Sequence, residues 1–147
     1  MQCSKLKQLL KLKLEFNMNK RILITAAILG VIGIVLGAFA AHGLSDLLSQ
    51  NVLRSFETGV RYQMYHAIFL LVLGGYSFLE PKAKNLIFLL VLSGLFLFSG
   101  SIYCLSTNSL TSFDFKSIAF LTPIGGILLI LSWVVLLINF LKIKADI

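Results

Sequence analysis

The stretch Ile22–Ala41 reads ILITAAILGVIGIVLGAFAA, twenty residues without a charge. About 20 apolar residues in a helix are enough to cross the hydrocarbon core of a bilayer. Eleven of these residues are Leu, Ile, Val or Phe. At about −0.3 to −0.6 kcal/mol each, they favour insertion by about −3 to −6 kcal/mol in total. The stretch therefore predicts a helix that spans a membrane.

Three further charge-free stretches follow in a chain of only 147 residues. Hydrophobic residues make up 58% of the chain, against roughly 45–50% in soluble domains, and the mean hydropathy is +0.93. Core helices of a soluble protein would need polar outer faces, which these stretches lack. We predict an all-α fold, an integral membrane four-helix bundle. The three stretches are Tyr62–Leu79, Leu86–Leu105 and Ser117–Leu141.

The four spans divide the thirteen Lys and Arg residues unequally. Arg54, Arg61 and Lys116 fall on one side, and the other ten fall on the opposite side. Because basic residues concentrate on the cytoplasmic side, both termini are predicted to be cytoplasmic, in the cell (inner or plasma) membrane. The net charge of +7 then reflects topology, and no nucleic-acid partner is expected. The ten are Lys5, Lys7, Lys11, Lys13, Lys20, Arg21, Lys82, Lys84, Lys142 and Lys144.

The chain divides into a short first segment and one membrane domain. Residues 1–17 are predicted to be a basic N-terminal tail or a mis-assigned start, since Met18 precedes Lys20 and Arg21 like a natural start. Cys3 and Cys104 would lie on opposite sides of the bilayer, so we expect both thiols to be unpaired. Residues 18–147 form the domain, with spans at about 22–41, 62–79, 86–105 and 121–141.

Small residues mark helix-packing faces, because they let helix backbones approach closely in lipid. In the first span they recur at helical spacing and include the G-x-x-x-G pair Gly33–Gly37. A contact inside the monomer's own bundle and a dimer interface both remain open for this face. The predicted packing glycines are Gly30, Gly33, Gly37, Gly125 and Gly126.

Three local patterns predict further detail. Apolar residues recur at helical spacing between positions 44 and 60, which predicts an amphipathic helix that lies on the outer membrane surface and runs into the second span. Thr122 followed by Pro123 predicts an N-cap and the first position of the fourth helix. Trp133 is expected to fill the bundle core.

Four segments together resemble a known family of small membrane proteins. They are residues 37–44 (GAFAAHGL), 56–74 (FETGVRYQMYHAIFLLVLG), 95–106 (LFLFSGSIYCLS) and 122–133 (TPIGGILLILSW). The chain resembles the domain-of-unknown-function family 423, which is related to transmembrane protein 256. The resemblance covers about residues 18–141. It implies a four-helix inner-membrane protein with no established activity.

A cluster of polar residues near the predicted outer boundary is the candidate site. Two histidines bracket the outer loop, and the run into the second span is unusually polar for a helix entering lipid. Interfacial anchoring and interhelical hydrogen bonds are the simpler interpretation, and a small polar pocket is the sharper one. The candidate residues are His42, Arg61, Tyr62, Gln63, Tyr65, His66 and Tyr103.

The sequence lacks the residues that several classes of function require. No Asp, Glu, Lys or Arg lies inside a span, whereas ion-coupled transporters keep such a group. No nucleophile triad, phosphate loop or metal motif is present. We therefore predict no enzyme activity, no catalytic residue, no metal and no cofactor.

Three functions remain, each with the lipid bilayer as the immediate partner. The first hypothesis is a non-enzymatic membrane module that associates with itself or with other membrane proteins through helix–helix contacts. The second is a small transporter or binder of a lipophilic ligand through the outer-leaflet pocket near His42 and His66. The third is an accessory subunit that holds a haem or quinone between these two histidines.

Overall fold

The computed structural model describes residues 2–76 and 78–143, with the side chains of residues 2–4, 7 and 11 outside that description. Cys3 is one of these, and Lys144 also lies outside the described residues. The described part of the chain contains four α-helices and no strand, which confirms the all-α four-helix prediction. The helices are α1 (Gln2–Phe39), α2 (Gln50–Gly75), α3 (Pro81–Ser106) and α4 (Leu121–Lys142).

Each helix runs antiparallel to the next. Gly37 of α1 lies opposite Val60 of α2, while the earlier residue Leu23 lies opposite Gly74. α3 and α4 pair in the same manner, and α3 has its most extensive contact with α4. One end of the bundle, here called the basic end, carries residues 20–21, the α2–α3 turn and the end of α4. The opposite, loop end carries the connections 40–49 and 107–120.

α1 is longer than its predicted span. It has 38 residues, or about 57 Å at 1.5 Å per residue. Residues 2–17, which the sequence sets apart from the membrane domain, continue the helix beyond the basic end. Three described stretches are long and apolar enough to cross a membrane, and α2 is not among them because its first half is rich in polar residues. The three are Gln8–Leu44, Pro81–Ser106 and Phe115–Lys142.

The main core lies between the helices and is built from aliphatic and aromatic side chains. Ile22, Leu70, Ile87 and Val91 are fully buried there, and Leu129 of α4 joins them. Lys84 at the start of α3 is also buried, and its ammonium group donates to Asn19 Oδ1 of α1 over 2.9 Å. This contact ties α1 to α3 at the basic end.

A second, smaller core at the loop end corrects one prediction. α1 is followed by a π turn, Ala40–Leu44, and residues 50–61 are the first turns of α2, so this segment runs into the second span as predicted. Its predicted place on the membrane surface is the part that changes. Leu53 and Phe56 are buried against Ala40 and Leu44. The apolar face is therefore covered by the protein's own first helix instead of by lipid head groups.

The fourth helix differs from its prediction in two details. α4 begins at Leu121, and the Thr122 hydroxyl pairs with the Ser101 hydroxyl of α3 at 2.7 Å instead of capping the helix. Pro123 still sits in the first turn, where its missing N–H would have had no partner. Trp133 is 52% exposed and packs against the ring of Phe69. It lies at the rim between α2 and α4, not in the core.

Candidate functional site

A polar link joins three helices in the loop-end half of the bundle. Gln63 of α2 is 5% exposed. Its Nε2 donates to the Leu29 carbonyl of α1 over 2.8 Å, and its Oε1 accepts from the Tyr103 hydroxyl of α3 over 2.9 Å. Both ends of one buried amide are thus satisfied by neighbouring helices, which fixes the relative positions of α1, α2 and α3.

Two residues outside the predicted set complete this link. Ser99 of α3 donates to the Gly59 carbonyl of α2 over 2.9 Å. A Cβ on Gly59 would lie 2.8 Å from the Tyr103 ring, so only glycine lets the tyrosine approach. Nothing in their spacing marks these residues, because small residues are frequent in any membrane helix.

His66 lies among aromatic rings and takes no part in this polar link. Its side chain is 5% exposed. Its Nδ1 lies 2.9 Å from the Tyr62 carbonyl, which can only accept, so Nδ1 carries the proton. The Tyr62 and Phe69 rings flank the imidazole at centroid distances of 6.4 and 6.1 Å. Its Nε2 is buried and has no hydrogen-bond partner among the residues that the structure describes.

The structure does not bring the two histidines together. His42 is exposed in the π turn, level with Phe56 of α2. His66 lies ten residues further along α2, or about 15 Å along the helix axis. A haem or quinone held between the two side chains therefore finds no support in their placement. Arg61 and Tyr65 are also exposed and lie outside the polar link.

The link forms the floor of a groove between α1 and α3. The groove has a volume of about 550 Å³. Leu29 and Ile32 form the α1 wall, and Ser93 and Phe96 belong to the α3 wall. Phe96 is 79% exposed, so the groove opens to the surface that faces lipid. Gln63, Tyr103 and Ser99 are polar lining residues at its floor, and within the described part of the chain Ser93 is the one polar side chain of its walls.

The predicted packing glycines occupy three environments. Gly33 and Gly37 face Met64 and Val60 of α2. Gly125 faces the backbone of α3, and Gly126 makes ordinary contact with the Phe98 ring. A Cβ on Gly30 would meet open space, so this position does not pack inside the monomer.

The hydrogen bond between Gln63 and Tyr103 should stabilise the bundle measurably. Removing it with Tyr103→Phe is expected to lower the free energy of unfolding by about 0.6–1.7 kcal/mol, the range of interhelical bonds in membranes. With Gln63→Leu, the double variant should lose less than the two single variants combined. Unfolding in mixed detergent micelles, followed by circular dichroism, measures these values.

Tyr65→Phe is the matched control for this cycle. Tyr65 is 57% exposed, and within the described residues its hydroxyl has no hydrogen-bond partner. Loss of this hydroxyl should leave the free energy of unfolding unchanged. If the losses in free energy of unfolding caused by Gln63→Leu and Tyr103→Phe were strictly additive, this result would contradict the polar link.

The outer surface defines the class of protein. Large apolar side chains cover all four helices, including Val72 at 64% exposed and Leu141 at 77%. Soluble monomers rarely expose contiguous apolar surface of this extent. The fold, its lipid-facing surface and its internal polar link together define a small multi-pass integral membrane protein.

The chain belongs to the family described as Protein of unknown function (DUF423), whose profile matches residues 36–126. It is 36% identical over 128 residues to a UPF0382 membrane protein of Haemophilus influenzae, covering 87% of this chain and 99% of the relative. It is 34% identical to the UPF0382 membrane protein YwdK of Bacillus subtilis, covering 84% and 98%. It is 33% identical to the UPF0382 inner membrane protein YgdD of Escherichia coli, covering 86% and 93%.

These relatives confirm the family resemblance and the predicted location in the cell membrane. None of the names assigns an activity. No solved structure gives a significant match. Within the described residues, no group of three or more His, Cys, Asp or Glu side chains is arranged to hold a metal ion. The groove and its polar floor are therefore the feature on which a function can be argued.

Proposed function

We propose that the protein is a non-enzymatic membrane protein that binds a lipophilic molecule with a hydrogen-bonding head in the groove between α1 and α3. The observation that carries the proposal is the groove itself, about 550 Å³ in volume with apolar walls and a polar floor. Ligand sites of about 300–1,000 Å³ typically combine apolar walls with a few convergent polar groups.

The floor has hydrogen-bonding capacity left for a ligand. The Gln63 amide uses one of its two N–H groups, toward Leu29, and the Tyr103 oxygen donates but can also accept. Tyr103 lies one turn before the loop end of α3, and the groove continues down to Leu92 near mid-helix. A ligand would place its head at Tyr103 and Gln63 and its tail along Leu92 toward the middle of the bilayer.

A groove-filling substitution tests this proposal. A Cβ on Gly100 meets open space, so Gly100→Phe should fill the groove and leave the fold intact. We expect the lipophilic molecules that co-purify with the protein in mild detergent, measured by mass spectrometry of the organic extract, to fall at least about tenfold in this variant, a loss of ~1.4 kcal/mol.

Gly75→Phe is the matched control, because its Cβ also meets open space but the residue lies outside the groove. Retention should be unchanged in this control. If the organic extracts of the parent protein and of Gly100→Phe contain the same molecules in the same amounts, the groove is ruled out as a ligand site.

Self-association is the second candidate, favoured by one observation. Gly30 of α1 and Gly100 of α3 both face open space in the monomer, and unused small residues permit close contact with another helix. Fluorescence energy transfer between labelled copies in bilayers would then be lower for Gly30→Leu than for the parent protein. Ligand retention would not change, because Gly30 does not line the groove.

A further inference from the structure

A second lipid-facing opening lies between α2 and α4, on a different helix pair from the groove. It is an apolar crevice of about 250 Å³. Two ring pairs define it, Phe69 with Trp133 at 4.5 Å and Tyr76 with Phe140 at 5.4 Å between centroids. The side chains that line the crevice are apolar or aromatic, which suits a hydrocarbon chain.

The crevice continues into a charged shelf at the basic end. Leu79 lines both spaces. The shelf holds Glu80 at the start of α3 and Lys142 at the end of α4, and Asn139 of α4 also lines it. Asn139 Nδ2 donates to the Val135 carbonyl over 2.8 Å, so its Oδ1 stays available to accept.

Both charges of the shelf are available to a ligand. Within the described part of the chain, neither Glu80 nor Lys142 has an ion-pair partner. A negative group would be attracted by Lys142 and a positive group by Glu80. An amphiphile that satisfies both carries an anionic and a cationic group on one head, with a hydrocarbon tail for the crevice, and the phospholipids with an amine-bearing head have this combination.

We infer that the crevice and shelf bind one phospholipid of the phosphoethanolamine class. The phosphate accepts from the Lys142 ammonium group, and the lipid's primary ammonium donates to the Glu80 carboxylate and Asn139 Oδ1. A phosphoglycerol head has no cationic group to pair with the Glu80 carboxylate. A phosphocholine head has no N–H to donate, so its interaction with Glu80 would lack a charge-assisted hydrogen bond. The tail lies between Trp133 and Tyr76.

The protein contains its own reporter for this site, because Trp133 is the single tryptophan of the chain and lines the crevice. Trp133 lies nine residues from Lys142, or about 14 Å along α4, which is the depth of the middle of an acyl chain. The full chain is reconstituted in phosphatidylcholine bilayers. Phospholipids brominated at mid-chain are then added with a phosphoethanolamine, phosphoglycerol or phosphocholine head, and quenching of Trp133 fluorescence is measured.

We expect half-maximal quenching by the phosphoethanolamine lipid at a mole fraction about fivefold lower than by the phosphocholine lipid, since one favourable charge interaction at the surface is worth about that factor. Glu80→Gln should abolish this preference, and Lys142→Gln should weaken quenching by all three lipids, because each of them carries the phosphate that Lys142 binds. Glu57→Gln and Lys116→Gln, exposed at the loop end, are matched controls and should change nothing.

Three results would overturn the inference. Equal quenching by all three lipids would mean that ordinary surrounding lipid fills the crevice. A phosphoglycerol preference that survives Glu80→Gln would mean a simple anionic-lipid site. Absence of quenching by any lipid would mean that protein covers Trp133, either a second copy or another membrane helix. None of these results depends on the groove between α1 and α3.

Discussion

Replacing Gly125 with Ala is expected to lower the free energy of unfolding by about 1–3 kcal/mol, the cost of inserting a methyl group into a closely packed contact. A Cβ at this position would meet the Phe98 amide nitrogen and would lie 2.8 Å from the Gly94 carbonyl oxygen. Both atoms belong to the backbone of α3, so no side-chain rotation can relieve the clash. The helices can only separate, and Gly125→Leu should prevent α4 from docking.

The adjacent glycine provides the control. A Cβ on Gly126 would lie 3.6 Å from the Phe98 ring, an ordinary contact. Because alanine is a better helix former than glycine by up to about 1 kcal/mol, Gly126→Ala should be neutral or stabilising. Unfolding of both variants in mixed micelles measures the difference. Equal losses at positions 125 and 126 would contradict the close crossing of α3 and α4.

The helices themselves could be predicted because lipid imposes a simple length rule. A charge-free stretch such as Leu86–Leu105 must become a helix that satisfies its own backbone in hydrocarbon, and α3 contains it entirely. The route of residues 44–61 could not be predicted in the same way. Their apolar face fits head groups or another helix equally well, and only the position of Ala40 and Leu44 decides between the two.

The residues of the candidate site also divide into those that the sequence could identify and those that it could not. Gln63 and Tyr103 could be selected because buried polar side chains in a membrane need partners, and the structure joins them. The sequence groups His42 with His66 because both bracket the outer loop, but the helix register separates them. Gly59 and Ser99 could not be found from sequence, since their role depends on which faces of α2 and α3 meet.

Reporters fused to the two termini are both expected to report the cytoplasm. A reporter inserted at Ser109 is expected to report the opposite side of the membrane, an all-or-none difference. Four antiparallel helices place the start of the membrane domain and the end of α4 at the basic end, and Ser109 is exposed in the 107–120 connection at the loop end. We expect this orientation from the distribution of charge, because Lys and Arg are retained on the cytoplasmic side of short loops.

Two different outcomes would contradict two different parts of this argument. Termini in opposite compartments would mean an odd number of crossings, so α2, whose first half carries Arg54, Glu57 and Arg61, would not traverse the bilayer. Both termini outside would preserve the four crossings and reject the charge rule for this chain. A phosphatase fusion that is active only outside and a fluorescent protein that folds only in the cytoplasm, used at the same three positions, distinguish these cases. Because ten of the thirteen basic residues favour one side, we expect a single orientation rather than a mixture.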